Sequence, residues 1–567
     1  MRRPVALCAA VLAALLLGGC AGIPTSGPIG EGDVVLPDPG QPVPLANDPP
    51  RDGTVQDIVQ GFLVASAAGL SDQFTVARKY LTADAAMTWD PTAKLVVYPS
   101  HSQPRISAED DSSSAVVEVD AQGALDKDGV YAESAPGSKV ELALEVARDG
   151  DGQWRISNLD DGFLMPSSDF SVFYRQVPLY FAAADGRSLV PDVRWYPAAS
   201  ALNLAVRGLL AGPSPWLADV VRTGVPEGTR LVGNEVLVST GQVATVDLSS
   251  AAAGADAAQR TLLVDQLTQT LEHVPGGGVS SVAVTVAGGD RWTRVGDGPV
   301  RDRQPASGPY FLADDKLQAL SDRSVVPVGD AGPLPAGAHD PAVSMTSTPD
   351  DGTLSVVLDG RGRLQALGRA GTPPTVLLDV DGLISPSIDP YDWTWTARPG
   401  TSTLTAVRGD DVVEIGADWL AGATVRSLAV SRDGTRIAVV HTGAGDQDVT
   451  VDVAAVPRDA EGRPQPRLGD RFQVGASVTA VSQVEWMDEA TLAVLGTSGS
   501  LDEPAVHVVP VGGQSSALPL VLGARTIAAG RGDRALFVTD DQGALWWRQG
   551  AAWVSVAKDV SDPVFPG

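Results

Sequence analysis

Leu17-Gly18-Gly19-Cys20 is the stretch of this 567-residue chain whose residue types and spacing most directly spell a reaction. A cysteine preceded by two glycines, with leucine three positions before it, is the pattern of a lipobox. The chain is expected to be cut between Gly19 and Cys20. Cys20 then takes a diacylglycerol on its sulfur and a fatty acyl chain, such as palmitate, on the freed amino group. Two or three acyl chains on one residue meet the requirement for stable membrane anchoring. The residues upstream agree. Arg2 and Arg3 precede an apolar run, Val5 to Leu17, which ends in small residues, the order of an export signal. That run covers 13 residues, short of the roughly 20 a membrane-spanning helix needs. Pro4-Val5-Ala6-Leu7 does not continue a twin-arginine signal, so the general export route is expected. Of the two cysteines, Cys8 lies in the leader, so the mature chain can form no internal disulfide.

Other residues that could do chemistry are scattered. His101, His273, His339, His441 and His507 are the five histidines, and none lies within four residues of another or of a cysteine. Zinc-ligand spacing is therefore missing. Asp149, Asp151 and Asp160 outline a calcium loop, but its sixth position is Trp154, where the sharp turn requires glycine. The repeated Asp-Gly of Asp149-Gly150-Asp151-Gly152 reads instead as a hairpin turn. There is no Gly-x-Ser-x-Gly elbow. Gly276-Gly277-Gly278 lacks the Gly-Lys-Ser/Thr of a phosphate loop and follows a helical pattern rather than opening one. With 69 carboxylates in the chain, any one pair is uninformative. The sequence reading is a binding protein: not an enzyme, with no catalytic residues, no metal and no cofactor.

Charge narrows the partners. Lys and Arg number 41 against 69 Asp and Glu, and loss of the leader makes the balance more acidic still. A nucleic-acid binder needs a basic footprint, so that class is excluded. The aromatics are the remaining candidates for contact. Trp393, Trp395, Trp486, Trp546, Trp547 and Trp553 fall in strand-like segments near the C-terminus, and Trp195, Tyr196 and Trp216 earlier. Aromatics favour strands, so most are expected in cores. Trp546 and Trp547 are the candidate interface pair: adjacent strand residues point to opposite faces, which leaves one of the two less buried.

Five segments carry these residues. Residues 1–19 form the signal peptide. Residues 20–50 are rich in Pro and Gly and read as a tether, extended at roughly 3 Å per residue where it is polyproline-like. Residues 51–165 form an α+β domain. Thr54, with Asp57 three residues on, caps a helix whose one face is Val55, Ile58, Val59, Phe62 and Leu63. A second short helix carries Phe74, Ala77, Tyr80 and Leu81, and the strands 95–98, 115–119, 140–146 and 154–159 follow as an antiparallel sheet. Residues 170–300 form a second α+β module. It has a strand at 177–181, a helix with Leu202, Ala205, Val206 and Leu209 that stops at Gly212-Pro213, a hairpin about Thr240-Gly241, a helix with Leu263, Leu267 and Leu271, and a strand at 282–286. Residues 305–567 hold short strands and turn signals. Pro349-Asp350-Asp351-Gly352, Asp389-Pro390-Tyr391-Asp392, Ser431-Arg432-Asp433-Gly434, Trp486-Met487-Asp488-Glu489 and Gly530-Arg531-Gly532-Asp533 each precede an apolar strand. Gly352 and Gly434 stand two units of roughly 41 residues apart, the size of a propeller blade. Five full units and a partial one at 310–328 fit. The C-terminal residues complete the partial blade, so six blades are favoured over five or seven. Closure of this kind removes exposed strand edges.

These residues carry two resemblances. Pro178-Leu179-Tyr180-Phe181, Leu209-Leu210-Ala211-Gly212-Pro213, Val225-Pro226-Glu227-Gly228-Thr229 and Val246-Asp247-Leu248-Ser249 resemble the GerMN module of bacterial envelope proteins. The order of lipobox, α+β domain, GerMN module and propeller ending Asp562-Pro563-Val564-Phe565-Pro566-Gly567 resembles, over nearly the whole chain, the actinobacterial LpqB lipoproteins. That resemblance implies a regulator anchored on the outer face of the cytoplasmic membrane. It implies a partner too: the extracellular domain of the MtrB sensor histidine kinase, in a two-component system controlling cell wall and division. The alternatives are an envelope-glycan binding lipoprotein and, behind it, an envelope hydrolase. Cys20→Ala is expected to shift the chain from membrane pellet to soluble fraction with an unchanged circular dichroism spectrum. Retention of the variant in the pellet would reveal a second anchor.

Overall fold

Thr54 opens the first helix by a reciprocal hydrogen bond. Its hydroxyl accepts from the Asp57 backbone N–H at 3.1 Å, and the Asp57 carboxylate accepts from the Thr54 N–H at 2.9 Å. In this computed structural model the described residues are 46–567, without 110–112, 234, 294–297, 322, 330, 346–354, 444–448 and 500–502. The lipobox, most of the tether and the turn at 349–352 lie outside them. The capped helix is Val55–Ala67, and it buries Val55, Ile58, Val59, Phe62 and Leu63, the face read from the sequence. The second short helix divides in two, Thr75–Arg78 and Ala83–Thr88, with Tyr80 and Leu81 in the connection between them.

The first domain departs from a single antiparallel sheet. One four-stranded sheet takes in Arg105–Ala108, Ser114–Asp120, Lys139–Arg148 and Trp154–Leu159, in that order. A second runs Tyr131–Glu133, Gly123–Asp126, Lys94–Tyr98, Phe163–Pro166. Its last strand pairs in parallel with Lys94–Tyr98. Strands of three or four residues carry too little alternation to be read from sequence, which is why this second sheet was hidden. Both sheets and the capped helix share one core around Phe62, Trp89, Val97 and Ile156.

The second module packs two helices, Ala201–Ala211 and Ala257–Glu272, on two three-stranded sheets. Asp256 and Gln259 repeat the capping box at the start of the longer helix. The expected hairpin pairs Leu237–Val238 with Val243–Leu248, and Val243–Leu248 also pairs in parallel with Ser281–Val286.

Residues 310–564 form six four-stranded antiparallel sheets. Their inner strands are His339–Val343, Ser387–Ile388, Thr424–Val430, Thr479–Trp486, Ala524–Ala529 and Ser561–Val564, and each touches the next in a closed ring. The C-terminal strand supplies the inner edge of the sheet begun by Tyr310–Ala313, with Tyr310 opposite Val564. First and last segments of the ring therefore share one sheet.

One polar device recurs in three of these sheets. Asp359, Asp389 and Asp540 each stand at the end of a strand, at the head of the turn into the next one. One carboxylate oxygen of each accepts the backbone N–H groups two and four residues on, at 2.9 to 3.1 Å. The other oxygen accepts from the side chain six residues on: Gln365 at 2.6 Å, Trp395 at 2.7 Å and Trp546 at 2.8 Å. Each aspartate thus fixes the turn and the side chain of the second residue in the strand after it. Burial works against the charge of Asp359, yet the Arg363 side chain, which donates to it at 2.9 Å, together with these bonds outweighs it and holds the carboxyl down to about 2.

Phe565 locks the closure. Its ring is 5% exposed and lies 5.9 Å from Phe537 between centroids. Gly308 and Gly530 make room for it: a Cβ on Gly530 would sit 2.5 Å from the ring. Phe565→Ala is expected to cost about 3 kcal/mol and to lower the urea midpoint followed by tryptophan fluorescence. An unchanged midpoint would mean that backbone pairing alone holds the ring shut.

Candidate functional site

The second α+β module meets the ring at turns that follow its inner strands, on the side where those strands end. Glu489, just past Thr479–Trp486, accepts from the Tyr180 hydroxyl at 2.5 Å and from Arg301 at 2.9 Å. The Tyr391 hydroxyl donates to Asp185 at 2.7 Å. Trp216 stacks on Phe472 with ring centroids 5.8 Å apart. The first domain joins through Glu133, which accepts from Ser477 at 3.0 Å and from the Ser515 hydroxyl at 2.7 Å. Trp195 lies where all three parts meet: it packs on Phe170 at 4.8 Å and donates to the Gly512 carbonyl at 2.7 Å. Burial raises both Tyr180 and Glu489, so the tyrosine stays a donor at any physiological pH. Sequence reading missed this junction. Tyr180 sits in an apolar strand, and its partner is 309 residues away.

These contacts fall on the sheets that include Ser387–Ile388, Thr424–Val430 and Thr479–Trp486. On the same side, the sheet of Ala524–Ala529 and the sheet closed by the C-terminus flank a cleft of about 980 Å³. Trp547 lies in it. The candidate pair divides here. Trp546 turns to the core between the last two full sheets and gives its N–H to Asp540, so its polar end is committed to the hairpin. Trp547 turns the other way, stacks on Phe537 with rings 8° from parallel and 5.8 Å apart, and donates to the Arg534 carbonyl at 2.8 Å. Both are half-buried. The Arg323 guanidinium lies 5.7 Å from the Trp547 ring centre, and Arg531 donates to the Pro305 carbonyl at 2.7 Å. Trp393, Trp395 and Trp486 are core residues.

The other chemistry weighed from sequence takes structural roles. Asp149 accepts the N–H groups of Asp151 and Gln153 at 3.0 and 2.9 Å, the bonds of a hairpin turn. His441 is buried against Asp452 at 2.7 Å, and Arg471 shares that carboxylate at 2.7 Å. Among the described residues, no three of His, Cys, Asp and Glu are grouped to hold a metal ion. No described helix is long and apolar enough to cross a membrane. Cys20 and Gly19 lie outside the described residues.

Glu485 stands apart. It is on an innermost strand, where Gln483 donates to it at 3.1 Å and also bridges to the Ile527 carbonyl at 2.9 Å. Burial pushes its carboxyl up to about 7, against the opposing effects of Gln483 and Arg432. Arg432 is itself tied to the ends of two inner strands, through the carbonyls of Trp486 at 2.8 Å and Ala529 at 2.9 Å.

Three family descriptions match the chain. Residues 48–171 match the N-terminal domain of lipoprotein LpqB, residues 178–291 a sporulation and spore germination module, and residues 315–566 the LpqB beta-propeller domain. Full-length relatives named lipoprotein LpqB include those of Thermobifida fusca and Streptomyces coelicolor. The first is 28% identical over 98% of this chain and 97% of its own, the second 29% identical over 100% and 98%. That of Mycolicibacterium smegmatis is 26% identical over 97% and 98%.

Glu485 sets a pH dependence. A carboxyl raised in the folded state keeps its proton while the unfolded chain has lost it. Its contribution is therefore present below about 4.5 and is lost as pH rises through about 7. Glu485→Gln is expected to remove that component, so the stability difference between variant and parent should grow from pH 4.5 to pH 7 and then level off. Denaturant midpoints across that range read it directly, and a difference independent of pH would place the carboxyl in solvent.

Proposed function

The chain belongs to the LpqB lipoprotein family, and from that membership we propose that it binds the extracellular domain of an MtrB-type sensor histidine kinase and biases its signalling state. It is a membrane-anchored lipoprotein with a GerMN module and a propeller. We place it on the outer face of the cytoplasmic membrane, where the export signal and Cys20 would leave it. We read it as a binding protein and not as an enzyme: the matched domain descriptions name a propeller, an N-terminal domain and a sporulation module, and none names a reaction.

The observation that carries the reading is the single body formed by the three domains. Glu489, Asp185 and Glu133 each receive hydrogen bonds from a domain other than their own. A contact made anywhere on such a body is felt by the whole of it. A lipid anchor on Cys20, with about 30 residues of tether, would hold it near membrane-embedded partners at an effective concentration of about millimolar. A contact too weak to survive in dilute solution then suffices. A bias on the kinase requires different affinity for its two states.

The purified acylated chain, reconstituted in nanodiscs with the kinase, is expected to change autophosphorylation at least several-fold. Deletion of the chain in cells should shift kinase output in the opposite sense. No binding to the sensor domain, together with unaltered output on deletion, would sink the reading. Retention on purified cell wall in its place would favour the glycan-binding alternative.

A further inference from the structure

We propose that the cleft beside Trp547 is a docking site for an acidic peptide segment of a partner protein, one that carries an apolar side chain between carboxylates. The inference rests on the reading of the chain as a partner-binding protein and names the chemistry of one contact. The cleft has two kinds of wall. Its floor is apolar: Leu320, Phe537 and Phe565, with Trp547 above them. Arg323, Arg531 and Arg534 stand at its rim, and all three are exposed. Among the described lining residues there is no carboxylate, in a chain where Asp and Glu outnumber Lys and Arg by 69 to 41. On so acidic a surface, a cleft whose charged lining residues are three arginines stands out.

The ligand chemistry follows from what the walls offer. Guanidinium groups only donate hydrogen bonds, and they pair with carboxylates in a two-pronged geometry. Sugar hydroxyls need acceptors as well as donors. The polar side chains offered besides arginine are Gln304, Ser307 and Ser321, and the Ser307 hydroxyl is already shared with Tyr310 at 2.8 Å. An acceptor-rich ligand with an apolar element fits both walls, and an acidic peptide has both. Arg531 is fixed in advance by the Pro305 carbonyl, and Arg323 rests by the Trp547 ring. Less side-chain freedom is then lost on binding. Opposite charge also steers the partner toward the cleft from an otherwise repelling surface.

The test uses the purified full chain in detergent and fluorescein-labelled Asp-Glu-Leu-Phe-Asp-Glu as probe, read by fluorescence polarisation. Binding is expected to weaken as sodium chloride is raised. The counterpart Lys-Arg-Leu-Phe-Lys-Arg should not bind. The double variant Arg323→Glu/Arg534→Glu should weaken the acidic peptide at least tenfold. Ser321→Trp, which fills the cleft without changing charge, should weaken it comparably, and melting curves confirm that both variants fold. Unchanged binding by either variant would overturn the proposal, as would polygalacturonate binding where the acidic peptide does not. The kinase sensor domain separates the two readings. If it binds the parent and the double variant equally, the cleft proposal falls and the kinase reading stands. If it binds neither while the acidic peptide still needs the arginines, the kinase reading falls and the cleft stands.

Discussion

The fold depends on one backbone pairing: Ser561–Val564 against Tyr310–Ala313, at the junction of the ring. Five of the six sheets are built from continuous stretches of chain. Without the sixth, the ring is an open arc with bare strand edges at both ends, each a template for aggregation. The pairing also joins the segment that leaves the second module to the last residues of the chain. It therefore fixes where the ring sits beneath the modules. Phe565 adds a side-chain lock that the backbone cannot supply. The lock in turn dictates the absence of side chains at Gly308 and Gly530, where the ring packs on the backbone.

Much of this was legible because it is local. The start and the apolar face of the helix Val55–Ala67 were legible, since its capping box and that face lie within the same dozen residues. The strand Trp154–Leu159 and the hairpin at Asp149 were equally local. The unread parts are non-local. Phe163–Pro166 is a strand because Lys94–Tyr98 lies beside it, and nothing in its own four residues states that. The same holds for Glu489, whose partners Tyr180 and Arg301 come from another module. A lone glutamate near a turn has no distinguishing mark in sequence.

The tryptophan pair shows where local reasoning stops being sufficient. Alternation along a strand correctly implies that Trp546 and Trp547 face opposite ways. It does not say what awaits each side chain. Asp540, six residues before Trp546, offers a second carboxylate oxygen once its first is used by the turn. The same spacing recurs at Asp389 and Trp395 and at Asp359 and Gln365. A sequence signal for Trp546 as a structural residue was therefore present, as an aspartate six positions upstream. Trp547 has no such partner on its own hairpin. Its N–H goes to the carbonyl of Arg534, which lies on the preceding turn.

That difference bears on how a ring of this kind acquires a binding surface. Side chains bound to their own hairpin are fixed by the repeat and cannot be spared without loosening a turn. Side chains at the seam between sheets are held only by neighbours from elsewhere in the chain. The ring has six such seams, and only one is also the closure. There the last continuous sheet meets the sheet shared by the two ends of the propeller sequence, beside the linker around Pro305. The linker residues line the cleft together with Arg323, Arg534 and Trp547. Arg323, Arg531 and Arg534 at this seam take no part in the aspartate turns, although one of those turns, at Asp540, belongs to a sheet that flanks it. A surface of altered charge arises there at the least expense to the fold.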